Sequence, residues 1–215
     1  MLGAVVATSA AWALTLQATG YGDAATPDLH HYRLTDSPCT GDNLKPLTDA
    51  LGVDRTAANP AEMRTGTTLD QAQCLLTAEG TVGEHWQSMY TVLVTVELHK
   101  KTDPRPEFED RNRPHGPNLD PASLTAATDD TDHVSLVPGL GDLAYLLAGD
   151  DSHQTLTVLH GGAVFTVTVD ADTQWTGAGG VPPDANGYPQ QPPGLIRLQP
   201  ALIATVRQVM SRLSR

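Results

Sequence analysis

The side chains of this chain that could carry acid–base or metal chemistry are eight histidines, two cysteines and scattered carboxylates. The histidines are dispersed, at His30, His31, His85, His99, His115, His133, His153 and His160. The chain has no His-Glu-x-x-His pair, no Gly-x-Ser-x-Gly turn, no P-loop and no glycine-rich dinucleotide turn. The sequence therefore predicts no catalytic residue, no metal ligand and no cofactor.

Three local features come nearest to a chemical site. His30 and His31 are adjacent, but consecutive residues point apart, so a zinc site would need tertiary convergence. The acidic run 129–132 lacks the spaced oxygen ligands and the glycine of an EF-hand loop, and is interpreted as an acidic loop. Asp142 could be a general acid or base. No partner is fixed beside it in sequence, so turn capping is the preferred role.

The charge balance excludes some classes of function. Lys and Arg number 13 against 25 Asp and Glu, which gives a formal net charge of −12. Phosphate contacts need clustered basic side chains, so a general nucleic-acid binder is excluded, and adhesion to anionic lipid is disfavoured. The charged fraction of 18% and the many small residues favour an exported globular protein over a disordered one.

Cys39 and Cys74 are most simply interpreted as one disulfide of an exported chain. The bridge would close a loop of about 36 residues, which contributes roughly 3–4 kcal/mol in the chain-entropy model. Neither cysteine has a second Cys or His at ligand spacing, and a catalytic cysteine would have to stay reduced outside the cell.

Residues 1–22 carry no charged side chain, and 2–16 is mostly apolar. The stretch suits a cleaved signal or a membrane anchor, although no basic residue precedes it, and a buried helix is the third alternative. We expect 1–22 to be a signal or membrane anchor and the sole membrane contact. Residues 23–36 are then a stalk, and 37–215 form the extracytoplasmic domain.

Hydrophobic spacing locates the main elements of that domain. Leu44, Leu47, Ala50 and Leu51 predict a helix that ends at Gly52. Residues 90–98 alternate as a half-buried strand does, and 200–213 carry an apolar stripe typical of a packed C-terminal helix. Residues 56–70 have no period and are predicted to form a surface loop.

Residues 155–169 predict a hairpin around Gly161 and Gly162. A two-residue turn opposes His160 to Ala163, Val158 to Phe165 and Leu156 to Val167, which puts the threonines of both strands on the other face. Both glycines are expected to need a positive φ.

Two proline-rich insertions, 101–121 and 176–194, interrupt the pattern and are expected to be extended and exposed. The charge run 107–111 is interpreted as a solvated loop, and 122–127 as one short helical turn.

The order of these features resembles a known group of proteins. A Ser-Pro-Cys stretch at 37–39 precedes a helix, Cys74 leads towards a strand, and Val-Pro-Gly-Leu-Gly-Asp-Leu-Ala-Tyr at 137–145 precedes a glycine-centred hairpin. Over 37–213 the chain resembles exported or lipoprotein-type actinobacterial domains of unknown function. These are similar in layout to the extracellular sensor domains of mycobacterial serine/threonine kinases.

The resemblance implies an α+β domain in which N-terminal and C-terminal helices pack on an antiparallel sheet, in the cell envelope. It carries over no functional residue, and this chain lacks a lipobox cysteine.

Three functions fit these observations. The first is a non-enzymatic, sensor-like module that binds an unknown envelope ligand or protein on the sheet or in a groove between helix and sheet. The alternative is an exported hydrolase whose site assembles only in three dimensions, with Asp142 and His160 as candidates. The third is a scaffold that contacts its neighbours through the proline-rich insertions.

Overall fold

The computed structural model describes residues 26–81, 85–112, 133–149, 152–177 and 194–214. These residues form an eight-stranded antiparallel sheet with helices packed on it. The predicted α+β class, with N-terminal and C-terminal helices on an antiparallel sheet and one disulfide, is confirmed. The expected signal or anchor at 1–22 and the short helical turn at 122–127 lie outside the described residues.

The strands are β1 (Arg55–Ala58), β2 (Glu62–Thr65), β3 (Leu69–Thr81), β4 (Trp86–His99), β5 (His133–Leu136), β6 (Leu143–Ala148), β7 (His153–His160) and β8 (Ala163–Trp175). The helices of the described residues are α1 (Gly41–Leu51), α2 (Arg105–Arg111) and α3 (Gln199–Leu213), and a 3-10 turn at Leu195–Leu198 leads into α3. Their order across the sheet is β1-β3-β4-β8-β7-β6-β5, with β2 also paired to β3.

The alternation that predicted a strand at 90–98 decides which face of the sheet is buried. In β4 the side chains of Val92, Val94 and Val96 are buried, and those between them are only partly covered. The buried set forms one core with the apolar residues of α1 and α3, so both helices cover this inner face. The outer face carries the threonines.

The hairpin at 155–169 is confirmed in its register. Val158 pairs with Phe165 and Leu156 with Val167, and all four are buried on the inner face. The threonines pair with one another on the outer face, where the Thr155 and Thr168 hydroxyls lie 3.0 Å apart.

Helix α1 agrees with the predicted spacing and ends at Gly52, whose φ of 62° is left-handed. The helix begins earlier than the spacing indicated, so Pro46 lies inside it. A proline has no N–H for the carbonyl four residues before it, which here is that of Asp42. The side chain of Gln208 in α3 donates to that carbonyl oxygen at 3.2 Å. The packing of α3 therefore compensates for the proline.

Two predictions of irregular chain are corrected. The charge run at 107–111 is not a loop, because it belongs to α2, where Pro106 occupies an early helical position that tolerates proline. Phe108 is buried on the outer face against Leu159 and Val164, which explains why the segment is ordered. Within 56–70, β1 and β2 pair with β3 although every residue in both is exposed. Their lack of a buried face explains why they show no alternation.

The disulfide joins Cys39, just before α1, to Cys74 in β3, with the two Cα atoms 6.0 Å apart. Both cysteines are buried in the core between α1 and the sheet. The crosslink thus fixes the entry of α1 to a strand near the edge of the sheet.

We expect the double variant Cys39→Ala, Cys74→Ala to lose about 3–4 kcal/mol of unfolding free energy, because the open unfolded chain gains loop entropy. Urea unfolding monitored by circular dichroism measures the difference. Reduction of the unmodified protein should give a comparable loss and serves as the matched control. A difference below about 1 kcal/mol in both would contradict a stabilising crosslink.

Candidate functional site

The residues expected to form the end of a stalk instead lie against the domain. We call residues 27–34 the strap. Tyr32 in the strap is only 5% exposed, and the N–H of Arg33 donates to the carbonyl oxygen of Leu213 at the end of α3 at 2.9 Å. The Asp28 carboxylate accepts from the N–H of His30 at 2.8 Å, which forms a tight turn from local polar residues.

The hairpin turn between β7 and β8 is the surface that receives the strap. Gly162 donates its N–H to the carbonyl oxygen of Asp28 at 2.7 Å. A Cβ on Gly161, which has a φ of 58°, would overlap that same oxygen. A Cβ on Gly162 would lie 2.7 Å from Cβ of Pro27. The expectation that both glycines need a positive φ is thus correct for Gly161 alone, and Gly162 is required by the close approach of the strap.

Three ring side chains meet where the strap crosses the turn. The Tyr32 hydroxyl and Nδ1 of His160 are hydrogen-bonded at 2.8 Å. The His30 ring stacks on the His160 ring with centroids 3.9 Å apart and an interplanar angle of 3°. Tyr32 also meets Phe165 edge to face at 5.0 Å, which continues the cluster into the core.

Asp142 reaches the same turn from the other side. Its carboxylate accepts a hydrogen bond from the N–H of Gly161 at 2.7 Å, and Arg105 lies 3.9 Å away. The turn-capping role predicted for Asp142 is confirmed. The structure brings Asp142 and His160 to one turn, but the carboxylate bonds to the backbone beside His160 rather than to its ring.

The surroundings shift the titration of two of these groups. Burial lowers the pKa of the His160 imidazole below its ordinary 6.5, and the stacked His30 ring lowers it further. The nearby carboxylates of Asp142 and Asp28 oppose this effect. Burial raises the pKa of the Tyr32 phenol to about 12, with the Asp142 charge adding to it. The cluster is therefore built to hold a neutral imidazole against a neutral phenol.

This arrangement fastens the strap to the hairpin. Nδ1 of His160 is bonded to Tyr32, and the carboxylate of Asp142 is bonded to the turn, so both candidate hydrolase groups serve internal contacts. Elsewhere, Nδ1 of His153 pairs with the Asp170 carboxylate at 2.6 Å on the outer face. Among the described residues, no group of three or more His, Cys, Asp or Glu side chains is placed to hold a metal ion.

A second surface lies at the far edge of the sheet, between the end of β5 and the start of α3. We call it the β5–α3 groove, a cavity of about 430 Å³. Its apolar lining consists of Leu136, Val137, Pro138, Pro200 and Ile203.

Two polar side chains, Gln199 and Arg207, complete the groove. The Arg207 guanidinium donates to the carbonyl oxygen of Gly139 at 3.4 Å and stays exposed. Leu136 is an unusually open large apolar side chain at this groove, with 64% exposure. The lining exposes about equal polar and apolar surface, and concave surfaces that combine apolar side chains with a few polar groups are typical of binding sites.

Sequence reasoning missed Tyr32 and the groove. Tyr32 was assigned to the stalk, and a lone tyrosine in a polar stretch gives no signal of burial. The groove needs β5 and α3 to meet across more than sixty positions of sequence. The exposed Pro138 in the glycine-rich segment was the one sequence feature that marked this region.

No protein-family model, curated protein or solved structure matches this chain. The fold itself defines a disulfide-linked α+β domain with N-terminal and C-terminal helices packed on an antiparallel sheet. A disulfide is consistent with a place outside the cytoplasm. None of the helices in the described part of the chain has the length and apolar character that spanning a membrane requires.

The hydroxyl of Tyr32 provides a first test of the strap. We expect Tyr32→Phe to lower the unfolding free energy by about 1 kcal/mol, because Nδ1 of His160 loses its partner in a partly buried place. Tyr145→Phe is the control, since no described residue hydrogen-bonds its hydroxyl. Denaturant unfolding measures both, and equal losses would argue against a fastening role for Tyr32.

The histidine provides a second test, through pH. Because the folded pKa of His160 is lowered, the unfolded chain binds more protons as pH falls below about 7, and the stability declines as pH falls further. The lowered pKa of Asp28 acts only at more acidic pH, below its ordinary 3.8. His160→Asn keeps a polar atom near the position of Nδ1 but cannot titrate. We expect a flatter decline for the variant, measured by urea unfolding at several pH values, and an identical slope would refute the assignment.

Proposed function

We propose that this domain is a non-enzymatic, sensor-like binding module of the cell envelope, and that it binds its ligand or protein partner in the β5–α3 groove. The groove is the observation that carries the proposal. It combines an apolar lining with an exposed guanidinium, and Leu136, with most of its side chain open to solvent, stands at its rim.

The use of the polar groups supports binding over hydrolysis. A hydrolase needs a nucleophile or general base that is free to contact substrate. In this chain Nδ1 of His160 is bonded to Tyr32 of the strap and one carboxylate oxygen of Asp142 to the turn, and the two side chains are not bonded to each other as a catalytic pair would be. By contrast, the groove exposes apolar side chains such as Leu136 to solvent. A ligand that covers them would remove apolar surface from water.

Two observations support the envelope as the place of action. The buried Cys39–Cys74 bridge would persist in an oxidising compartment. The resemblance to exported actinobacterial domains, which includes residues 137–145, supports the same compartment, and Val137 and Pro138 of that segment line the groove.

Leu136→Glu tests the proposal against a matched control, Met63→Glu. Both residues are exposed and apolar in an edge strand, Leu136 at 64% and Met63 at 41%, but only Leu136 lines the groove. Envelope proteins, lipid vesicles and soluble glycans are added separately to isotope-labelled protein and followed by NMR. We expect one of these preparations to shift the resonances of groove residues in a saturable way. Leu136→Glu should abolish that response and Met63→Glu should preserve it.

Two results would contradict the groove as the binding site. In the first, none of the envelope proteins, lipid vesicles or soluble glycans shifts the groove resonances. In the second, the shifts persist unchanged in Leu136→Glu. Saturable shifts centred on His160 and Asp142 with a small substrate would favour the exported hydrolase instead.

A further inference from the structure

The free edge of the sheet borders the groove. Strand β5 is the last strand in the order, and no described residue pairs with its outer side. The N–H of Val137 donates to the carbonyl oxygen of Ala144 at 2.9 Å, and the register continues this pairing to Ser135 with Leu146. In an antiparallel ladder the hydrogen-bonded pairs alternate. The N–H and C=O groups of Val134 and Leu136 therefore point outward.

The opposite edge of the sheet carries residues that oppose pairing, and the described residues of β5 do not. Strands β1 and β2 carry Arg55, Glu62 and Arg64, and Pro60 lies between them. Charges and proline on an edge are the usual means of preventing another strand from adding. Strand β5 reads His-Val-Ser-Leu, without an acidic residue, lysine, arginine or proline. Its exposed Leu136 makes it the edge suited to a partner.

The charge beside the C-terminal end of β5 selects the partner's residue at that end. The chain as a whole has a net charge of −12, yet residues 194–214 contain Arg197, Arg207 and Arg212 and no acidic residue. Of these, Arg207 closes the groove next to the end of β5. A second copy pairing through β5 would offer Arg207 no acidic side chain from the paired β5 strand, which reads His-Val-Ser-Leu. A lipid surface offers no backbone groups to Val134 and Leu136.

We propose that the partner is an extended peptide segment of another protein, with an acidic residue opposite Val137, which adds to β5 as a further antiparallel strand. This inference rests on the proposed function, because it names the partner class of the same groove. Main-chain hydrogen bonds to Val134 and Leu136 would supply the attachment, and alternate side chains would supply the specificity.

The register fixes which side chains of the peptide enter the groove. Residues directly opposite each other in a ladder share a face. Leu136 pairs with Tyr145 on the outer face, whereas Val137 is buried with the inner core. Peptide residues opposite Ser135 and Val137 therefore face the groove, and an acidic one opposite Val137 lies nearest Arg207. Peptide residues opposite Val134 and Leu136 have their side chains on the outer face of the sheet, and their N–H groups point towards β5.

The blocked peptide Glu-Thr-Val-Thr-Val-Thr is the probe. In antiparallel register its Glu stands opposite Val137, its first two Thr stand opposite Leu136 and Val134, and its first Val stands opposite Ser135. We expect saturable binding to the full chain by isothermal titration and by shifts of the β5 amides. Replacing Glu by Lys should weaken binding by about tenfold, through loss of attraction and added repulsion.

N-methylation separates strand addition from a merely apolar contact. Methylating the first two Thr nitrogens removes the donors that face β5 and should raise the Kd by about tenfold or more. Methylating the two Val nitrogens instead gives a peptide of identical composition in which the methylated nitrogens point away from β5. Its Kd should stay within about twofold of that of the unmethylated peptide. Equal losses from both peptides would overturn strand addition.

Arginine variants of the protein test the charge. Arg207→Gln should weaken binding of the Glu peptide by about three- to fivefold, as expected for an exposed ion pair. Arg212→Gln on the same helix is the control, because Arg212 lines a separate cavity with Asp42. Equal effects of the two variants would overturn the role of Arg207.

The outcomes separate this inference from the proposed function. Suppose that an envelope preparation shifts the groove resonances, that Leu136→Glu abolishes this response, and that neither the Glu nor the Lys peptide binds. The groove is then a binding site, and the proposal of an added acidic strand is wrong. Sedimentation tests for a dimer. If the chain forms a dimer that is dissociated by Leu136→Glu but not by addition of the Glu peptide, the partner is a second copy and the inference is overturned. If neither fractions nor peptides act on the groove, both proposals fail.

Discussion

The pairing of β4 with β8 is the constraint on which the rest of the structure depends. These two long strands pair in register from Trp86 with Trp175 to Leu98 with Ala163, and they join the hairpin of β3 and β4 to the four-stranded meander of β5 to β8. Their inner faces supply the valines on which α1 and α3 rest. Because the meander grows outward from β8, β5 becomes the last strand of the sheet. The free edge and its groove are consequences of this topology rather than local accidents.

The same topology separates two kinds of polar surface. At the β7–β8 turn, glycines admit the strap, and the hydroxyl, imidazole and carboxylate groups gathered there are bonded to one another or to the backbone. At the β5 edge, no described residue pairs with the outward main-chain groups, and exposed apolar side chains lie beside the Arg207 guanidinium. Groups that are satisfied internally stabilise a fold, whereas groups that stay open at a concave surface can exchange water for a partner. This contrast underlies the proposal of a binding module.

Much of the fold could be predicted because its signals are local. The hairpin register followed from a two-residue glycine turn and matching alternation, and α1 and α3 followed from helical spacing with a glycine stop or a proline start. Strands β1 and β2 could not be predicted because neither has a buried face. Helix α2 could not be predicted because its prolines and charges indicate a loop and only Phe108 is buried. The site was harder. Asp142 was assigned its turn-capping role correctly, whereas the burial of Tyr32 and the groove at Arg207 arise from tertiary contacts that no local pattern encodes.

Strand β5 can accept a partner strand only if its outward backbone groups are open to solvent in the free protein. Amide hydrogen exchange of the free protein, resolved by NMR, tests it residue by residue. The account predicts that the amides of Val134 and Leu136 exchange rapidly while those of Ser135 and Val137 are protected, because only the latter pair face β6. Equal protection of all four amides would show that another part of the chain already occupies the edge, and would contradict the account.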